Sequence, residues 1–240
     1  GNMQWNKTYG GTGNDQAYSV VQTADGGYAI VGYTNSFGAG STDIYLVKTD
    51  SNGNLQWNKT YGGAGGENCH DMVQTGDGGY ALGGGTPGAG NGDFWLVKTD
   101  PAGNMQWNKT YGGADEEYME LMVQTSDGGY ALAGTQRSYG NRDFWLVKTD
   151  QAGNMQWNRT YGGISEDVGI FVIETSDGGY ALAGFTWSFG NSREGWLVKT
   201  DSAGNMQWNN TYGGTNQDYF GSVVQTGDGG YALGGGTPGA

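Results

Sequence analysis

Apolar and polar positions form short alternating runs along this chain, and glycine-rich turn signals separate the runs. Residues 17–23 are rich in β-branched side chains, which is typical of a strand buried on both faces. The turns carry Asp-Gly-Gly or Asp-x-x-Gly, in which glycine adopts a positive φ at no steric cost. The pattern predicts four strands in the first stretch of the chain, over residues 17–23, 28–33, 43–48 and 55–61.

The same pattern recurs along the whole chain, which indicates a tandem repeat. The strings Gln-Trp-Asn and Asp-Gly-Gly-Tyr-Ala each occur five times, with successive copies 50 to 52 residues apart. The string Leu-Val-Lys-Thr-Asp occurs only four times. We therefore divide the chain into five repeats of one domain, over residues 1–52, 53–102, 103–152, 153–203 and 204–240.

Four short strands per repeat predict an all-β fold, a β-propeller of four-stranded blades. A single four-stranded sheet cannot bury both faces, whereas neighbouring blades cover one another. A β-solenoid is the alternative, although its coils are shorter than these repeats. We expect large aromatic side chains to pack between blades, and the tryptophans of the outer strands to be mostly buried: Trp5, Trp57, Trp107, Trp157 and Trp208.

The two ends of the chain do not make a complete set of strands. Residues 3–9 have the fourth-strand sequence, and the chain stops after a second strand over residues 231–236. Comparison with the second repeat shows that a stretch equivalent to residues 90–102, a third strand with its turn, is missing. Two interpretations stay open: a five-bladed propeller whose last blade is incomplete and is closed by residues 3–9, or a segment of a larger propeller array.

Composition excludes several classes of protein. Glycine makes up 50 of the 240 residues and proline only 3, which excludes collagen. Aromatic residues reach 13%, so the chain is not disordered. A net charge of −13 argues against nucleic-acid binding, which needs a basic face. The uncharged stretches are broken by glycine, so we expect no membrane span, and the one cysteine excludes an intramolecular disulfide.

The order of strands and turns resembles known repeat families. An apolar inner strand, an Asp-Gly turn and an aromatic third strand are similar to WD-repeat propellers, without that family's Gly-His and Trp-Asp dipeptides. Thr125-Ser126-Asp127-Gly128-Gly129 resembles the first half of the sialidase Asp-box. The chain as a whole resembles the glycine-rich tandem propeller repeats of archaeal and bacterial cell-surface proteins. This resemblance implies an extracellular or cell-surface location, and it implies no particular activity.

The loops opposite the repeated turns differ from repeat to repeat, and propeller ligands usually bind to such a loop-rich face. We therefore expect a glycan or protein ligand at this face. The alternative is loop drift, with the aromatic side chains folded back on their own blade. The predicted contacts are Phe37, Arg137, Tyr139, Trp187, Phe189 and Arg193.

An acidic residue opens the first strand of every repeat, six residues after the tyrosine of Tyr-Gly-Gly. Carboxylates gathered at a channel mouth would repel one another unless a cation screened them, and calcium prefers oxygen ligands. The alternative is that each acid accepts hydrogen bonds from its own turn. The sequence predicts no cofactor other than calcium, with the ligands Asp15, Glu67, Glu117, Asp167 and Asp218.

Every repeat also carries an Asn-x-Thr sequon one residue after its tryptophan. If the protein is secreted, these positions predict glycans along the outer strands. The alternative is that duplication copied a polar strand face. The predicted sites are Asn6, Asn58, Asn108, Asn158 and Asn209.

Cys69-His70-Asp71 is the one reactive-looking cluster, and alternation along a strand prevents the three side chains from converging. No second histidine exists for a zinc site. We therefore predict no enzymatic activity. The favoured function is an extracellular binding or adhesion scaffold that presents variable loops. The alternative is a structural building block of a surface layer, sheath or filament, in which like subunits assemble.

Overall fold

The computed structural model describes residues 1–88, 92–138, 140–190 and 192–237, and this part of the chain is all-β. It contains no helix, and so none that could cross a membrane. The strands are β1 Asp15–Gln22, β2 Tyr28–Thr34, β3 Asp43–Thr49, β4 Leu55–Tyr61, β5 Asn68–Gln74, β6 Tyr80–Thr86, β7 Asp93–Thr99, β8 Met105–Tyr111, β9 Glu117–Gln124, β10 Tyr130–Ser138, β11 Asn141–Thr149, β12 Met155–Tyr161, β13 Asp167–Glu174, β14 Tyr180–Thr186, β15 Glu194–Thr200, β16 Met206–Tyr212, β17 Tyr219–Gln225 and β18 Tyr231–Gly236.

The strands form a series of antiparallel sheets in which each strand pairs with its neighbour in sequence. Four sheets have four strands each, β1–β4, β5–β8, β9–β12 and β13–β16, and the fifth has only β17 and β18. The repeated four-stranded unit and the four strands predicted for the first repeat are confirmed. The finer prediction of five closed blades is not, because no described sheet closes and the last one has two strands.

The chain divides into two compact units, Gly1–Gly113 and Ala114–Ala240, and each is described by itself. The first unit contains the sheets β1–β4 and β5–β8. The second contains β9–β12, β13–β16 and the β17–β18 pair. Within each unit, successive sheets pack against one another, as the contacts of β5 with β1 and β2 and of β13 with β10 indicate.

The core of each unit is built around the third strand of each sheet. Every residue of β3, β7 and β15 is buried. In the second unit the indole of Trp196 meets the ring of Phe144 edge-on, with 4.6 Å between ring centroids. This edge-on arrangement is favourable because the edge of an aromatic ring is partly positive and its face is partly negative. The aromatic packing expected between sheets is therefore present, and third-strand residues provide it.

The outer-strand tryptophans are less buried than predicted. Trp5 and Trp208 are 38% and 37% exposed, and the other three are half-buried. The fourth strand is a sheet edge, so one side of each ring remains in solvent. The fully covered tryptophans are those of the third strands, Trp95, Trp145 and Trp196.

Within each unit, a complete sheet docks its outer strand on the turns of the following four-stranded sheet through a small set of contacts. The ring of Trp157 lies edge-on to Tyr180 at 5.7 Å, and Tyr161 Oη donates a hydrogen bond to the carbonyl of Gly204 at 2.7 Å. Gly204 has φ 75°, and a Cβ there would lie 2.7 Å from the Trp157 ring, so this position requires glycine. The first unit repeats the junction with Trp57, Tyr80, Tyr61 and Gly103.

Residues 3–9 do not form the predicted closing strand. Residues 1–10 pair with no strand in the described part of the chain. Trp5 nevertheless lies 5.8 Å from Tyr28, and Tyr9 Oη donates to the carbonyl of Gly53 at 2.7 Å. The segment thus makes the side-chain contacts of an outer strand without forming a ladder with any described strand.

The first strand of the chain is also more exposed than predicted. We expected residues 17–23 to be buried on both faces, whereas most of β1 is exposed. No sheet precedes β1 within its unit, so one face has no cover. The equivalent strands β5 and β13 follow another sheet and are more buried.

Candidate functional site

The end of each four-stranded sheet that carries the Asp-Gly-Gly turn, called here the turn end, holds a buried lysine. Lys98 Nζ donates hydrogen bonds to Asp77 Oδ2 at 2.8 Å, to the carbonyl of Thr99 at 2.8 Å and to Gln106 Oε1 at 3.3 Å. Its side chain is 7% exposed, and that of Asp77 is 53% exposed. The same ion pair occurs in all four complete sheets: Lys48–Asp25, Lys98–Asp77, Lys148–Asp127 and Lys199–Asp177.

These lysines stabilise the charged form of the turn-end aspartates. The hydrogen bond from Lys98 lowers the pKa of Asp77 to about 2, and the Thr75 hydroxyl and the Gly79 amide lower it further. The ion pair between Lys199 and Asp177 likewise lowers the pKa of Asp177. The turn end therefore holds a structural network in which these lysines and aspartates satisfy one another.

The opposite end, called here the loop end, brings pairs of carboxylates together between neighbouring sheets. Asp143 at the third strand of one sheet and Asp167 at the first strand of the next both lie against Gly162, where a Cβ would overlap both carboxylates. Two further glycines have the same position. Asp43 and Glu67 lie against Gly62, and Glu194 and Asp218 lie against Gly213.

Burial makes the Asp143–Asp167 and Asp43–Glu67 pairs electrostatically unfavourable. It raises the pKa of Asp143 to about 6, and the neighbouring Asp167 raises it as well. Burial also raises the pKa of Asp43, with a contribution from Glu67. Asp143 Oδ1 and Asp167 Oδ1 are both buried and accept no hydrogen bond from the described residues. The loop end therefore concentrates negative charge at the Asp143–Asp167 pair, with which no Lys or Arg of the described ranges forms an ion pair.

Predicted calcium ligands also accept hydrogen bonds from their own turns. The amides of Gly11, Gly63, Gly163 and Gly214 donate to Asp15, Glu67, Asp167 and Asp218 over 2.8–3.0 Å. Glu117, the fifth, is buried at the start of β9. Within the ranges described, no three His, Cys, Asp or Glu residues group so as to hold a metal ion.

The variable loops contain an anchoring motif that the sequence analysis missed. Ser188 Oγ donates to Asp167 Oδ2 at 2.7 Å, and Ser36 Oγ donates to Asp15 Oδ2 at 2.7 Å. Each serine precedes a phenylalanine and a glycine. The recurrence of Ser-aromatic-Gly in the first, third and fourth repeats was the signal that could have identified this motif.

The predicted aromatic contacts are partly folded back on their sheets. Phe37 lies 5.5 Å from the Tyr45 ring and is 44% exposed, and Phe189 lies 5.3 Å from Trp196 and is 38% exposed. Trp187 is 40% exposed, and its backbone amide donates to the carbonyl of Glu166. Trp187 therefore presents the largest exposed ring of the loop end.

The predicted arginines already have partners. Arg137 Nη1 lies 3.0 Å from Glu116 Oε2. The Arg193 guanidinium lies between the rings of Phe185 and Tyr219, at 4.8 and 5.4 Å from their centroids. Tyr139, the remaining predicted contact, lies outside the described residues.

The reactive-looking cluster is dispersed by a bulge in β5. The ladder with β6 shifts register between Cys69 and Asp71, which leaves His70 as the extra residue, and its ring stacks on Tyr18 at 5.2 Å. Cys69 is fully buried and donates to the carbonyl of Gly83 at 3.1 Å. Burial raises the pKa of this thiol, so the geometry does not activate it as a nucleophile.

The sequon asparagines are exposed, four of them on the outer strands β4, β8, β12 and β16, and the structure gives a further reason for their recurrence. The indole nitrogens of Trp145 and Trp196 donate to Asn158 Oδ1 and Asn209 Oδ1 at 3.4 and 3.1 Å. The asparagine therefore satisfies the N–H of a buried tryptophan. Asn58 is exposed too, and in its sheet Tyr45 stands in place of that tryptophan.

Comparison with known proteins gives no family. No protein-family model matches the chain, and no curated protein matches it. A solved structure of a protein of unknown function from Bacteroides caccae is similar with a TM-score of 0.49 and 14% identity; the match covers 85% of this chain and 64% of the other. A hypothetical protein from Leishmania major has a TM-score of 0.41 and 10% identity, over 92% of this chain and 80% of the other. The chain thus spans less than two thirds of the Bacteroides caccae protein, and neither likeness identifies a family or a function.

Proposed function

We propose that this protein is a non-enzymatic extracellular binding or adhesion scaffold, built as a β-propeller of four-stranded blades. The observation that carries the proposal is the contrast between the two ends of its sheets. The turn ends share one lysine network in four sheets, whereas the loop ends differ in sequence and expose aromatic rings such as Trp187. Variation confined to loops on a constant framework is typical of a binding surface.

The loop-end chemistry suits a glycan or protein ligand. Exposed rings offer flat apolar surfaces, while neighbouring carboxylates and arginines offer hydrogen bonds. The loops are also held in place, since Ser188 binds Asp167 and Phe189 packs on Trp196. A preorganised loop loses less conformational entropy when a ligand binds.

A binding screen with a matched pair of variants tests the proposal. The intact chain is applied to a glycan array and to a panel of extracellular proteins. The variant Trp187→Ala should lose about tenfold or more in affinity for any ligand found, because truncation removes an exposed aromatic contact. Gln151→Ala, at an exposed turn-end position, should bind as the unmodified protein does. Equal loss in both variants, or ligand retention by Trp187→Ala, would contradict a loop-end site.

A structural building block is the second candidate, and the outer strands β4, β12 and β16 favour it, since each is the edge of its sheet among the described strands. An open strand edge is a template for pairing with another chain. Sedimentation velocity over a range of concentrations separates the candidates. Concentration-dependent filaments or sheaths would favour assembly, whereas a monomer that binds a ligand would favour the scaffold.

We also propose that calcium screens the loop-end carboxylates. The buried oxygens of Asp143 and Asp167 without a hydrogen-bond donor support this proposal. Calcium that binds only the folded state should raise the melting temperature by mass action. Equal melting temperatures in calcium and in chelator would rule it out.

We further propose that the sequons carry glycans in a secreted protein. All five asparagines are exposed, so a glycan would meet no packed core. Mass spectrometry of the native protein tests this. Hexosamine increments on peptides that contain Asn58 would support it, and an intact mass near 25.3 kDa would refute it.

A further inference from the structure

The β9–β12 sheet differs from its neighbours in how its second and third strands meet at the loop end. The β10–β11 ladder continues past Asp143 to Ser138 opposite Asn141. In the first and fourth sheets, the ladder between the equivalent strands stops at the equivalent acid, Asp43 or Glu194. Asp143 is therefore preceded by paired strand, whereas the other two acids are preceded directly by loop.

Where the ladder stops at the acid, the preceding loop supplies a hydrogen-bond donor to it. The backbone amide of Ala39 donates to Asp43, and Ser192 Oγ donates to Glu194 Oε1 at 3.3 Å. Asp143 Oδ1 is buried and accepts no hydrogen bond from the described residues. The longer hairpin of the third sheet thus leaves its acid without the loop donor that the other two acids have.

Asp167, on the first strand of the fourth sheet, has a carboxylate oxygen in the same condition. The residue is fully buried. Its Oδ2 accepts hydrogen bonds from the Gly163 amide at 2.8 Å and from Ser188 Oγ at 2.7 Å. Its Oδ1 accepts none from the described residues. Asp143 and Asp167 both lie against Gly162, so two carboxylates with buried, unsatisfied oxygens meet at one backbone position.

The chemistry of this pair suits a cation. A buried carboxylate oxygen without a donor costs free energy unless another partner binds it. No Lys or Arg of the described ranges forms an ion pair with Asp143 or Asp167. Calcium takes carboxylate, backbone carbonyl and water oxygens as ligands, so it would satisfy both carboxylates at once.

We propose that the junction of the third and fourth sheets holds one calcium ion, with Asp143 and Asp167 as its carboxylate ligands and water completing its coordination. The site rests on the calcium proposal above and narrows it to one place, because Asp43 and Glu194 already have donors from their own loops. Two protein carboxylates suit a dissociation constant of about 10⁻⁴–10⁻³ M, the range of extracellular calcium modules.

Equilibrium dialysis of the unmodified chain against calcium chloride counts the ions. We expect one calcium ion per chain at saturation. More than one ion per chain would overturn the single site, because other loop-end acids would then bind calcium too. No bound calcium would refute this site and the calcium proposal together, and the scaffold proposal would still be decided by Trp187→Ala.

The melting temperature locates the ion. At a calcium concentration about tenfold above the dissociation constant, mass action should raise the melting temperature of the unmodified chain by about 3–6 °C relative to chelator. Asp143→Asn should lose this shift, because it removes one of the two charged ligands. Asp43→Asn makes the same change at the equivalent acid of the first sheet and should keep the shift.

A second pair of variants leaves every carboxylate in place. A Cβ at Gly162 would overlap both Asp143 and Asp167 and displace them. Gly162→Ala should therefore lose the calcium shift, whereas Gly62→Ala, at the equivalent glycine of the first sheet, should keep it. Each baseline is measured in chelator, so a change in folding is seen before calcium is added.

Two further results would overturn the single site. One is a calcium shift that persists in Asp143→Asn, which would leave the broader calcium proposal standing with its ligands elsewhere. The other is equal loss of the shift in Asp143→Asn and Asp43→Asn, which would show that the loop donor at Asp43 does not distinguish the two junctions.

Discussion

The two ends of these sheets treat carboxylates in opposite ways. At the turn end, a buried lysine lowers the pKa of Asp77 to about 2. At the loop end, burial raises the pKa of Asp143 to about 6, and the adjacent Asp167 adds to the rise. The turn end therefore gains stability from its charges, and the loop end loses it. Such unfavourable charge is typical of positions kept for a function rather than for stability.

The largest expected effect tests what holds the loop end in place. Trp196 is fully buried between Phe144 and the loop residue Phe189. Trp196→Ala should lower the free energy of unfolding by about 3–5 kcal/mol, the usual cost of emptying an aromatic core site. Trp157 is half-buried in the same unit, and Trp157→Ala should lower the free energy of unfolding by only about 1–2 kcal/mol. Urea titration measures both, and equal costs would show that the third strand does not carry the core.

The next effect concerns the turn-end network. Lys199→Met keeps an unbranched apolar side chain, one heavy atom shorter, but removes the bonds to Asp177, the Thr200 carbonyl and Gln207. We expect a loss of about 2 kcal/mol in the free energy of unfolding, because a buried carbonyl loses its donor. The loop-end control Arg142→Met breaks an exposed pair 3.7 Å apart and should cost about 0.5 kcal/mol or less. A larger loss in Arg142→Met than in Lys199→Met would show that charges at the turn end do not stabilise the fold more than those at the loop end.

A smaller effect of opposite sign is expected at the loop end. Asp143→Asn removes one charge of a buried pair and should raise the free energy of unfolding at pH 7 by about 1 kcal/mol. The pKa of Asp143 is raised from 3.8 to about 6, so the cost to the free energy of unfolding builds up as the pH rises through that window and is complete above about pH 6. The gain from Asp143→Asn should therefore be nearly absent at pH 4, where the folded protein holds Asp143 protonated. Asp115→Asn is the control, and destabilisation by Asp143→Asn would instead indicate that a cation binds the pair.

The smallest effect lies in the acid range. The folded pKa of Asp77 is about 2 against an ordinary value of 3.8, so its contribution is complete above about pH 4. That contribution is lost as the pH falls toward 2. The melting temperature of the unmodified protein should fall across this window, and that of Lys98→Met should fall less steeply. Equal slopes of melting temperature against pH in the two proteins would show that Lys98 does not determine the acid sensitivity.

Local turn chemistry explains why the strands could be predicted from the sequence. The Asp-Gly-Gly turn fixes where β1 ends and β2 begins, and period-two alternation gives each strand two faces. Alternation does not tell which strand forms an edge, and for that reason Trp157 was expected to be more buried than it is. The β-bulge at His70 shifts the alternation of side chains between the two faces of β5 by one residue. No turn residue in the sequence predicts this bulge.

The carboxylate pairs were beyond sequence reasoning for a different reason. Asp143 and Asp167 come from different sheets, and their proximity depends on how those sheets pack around Gly162. The sequence indicated five acids in equivalent positions, and their arrangement in a ring stays a prediction. In each pair that the structure describes within a unit, the partner is the acid that opens the preceding third strand.

The uniform junction between sheets also bears on how such a chain changes length during evolution. Tyr61 and Tyr161 each donate to a glycine carbonyl one repeat later, over 2.6 and 2.7 Å. A duplicated or deleted repeat therefore meets neighbours that offer the same hydroxyl, carbonyl and ring as before. Gene duplication can add or remove whole units without creating an unsatisfied surface, and divergence then accumulates in the loops, where the framework does not constrain it.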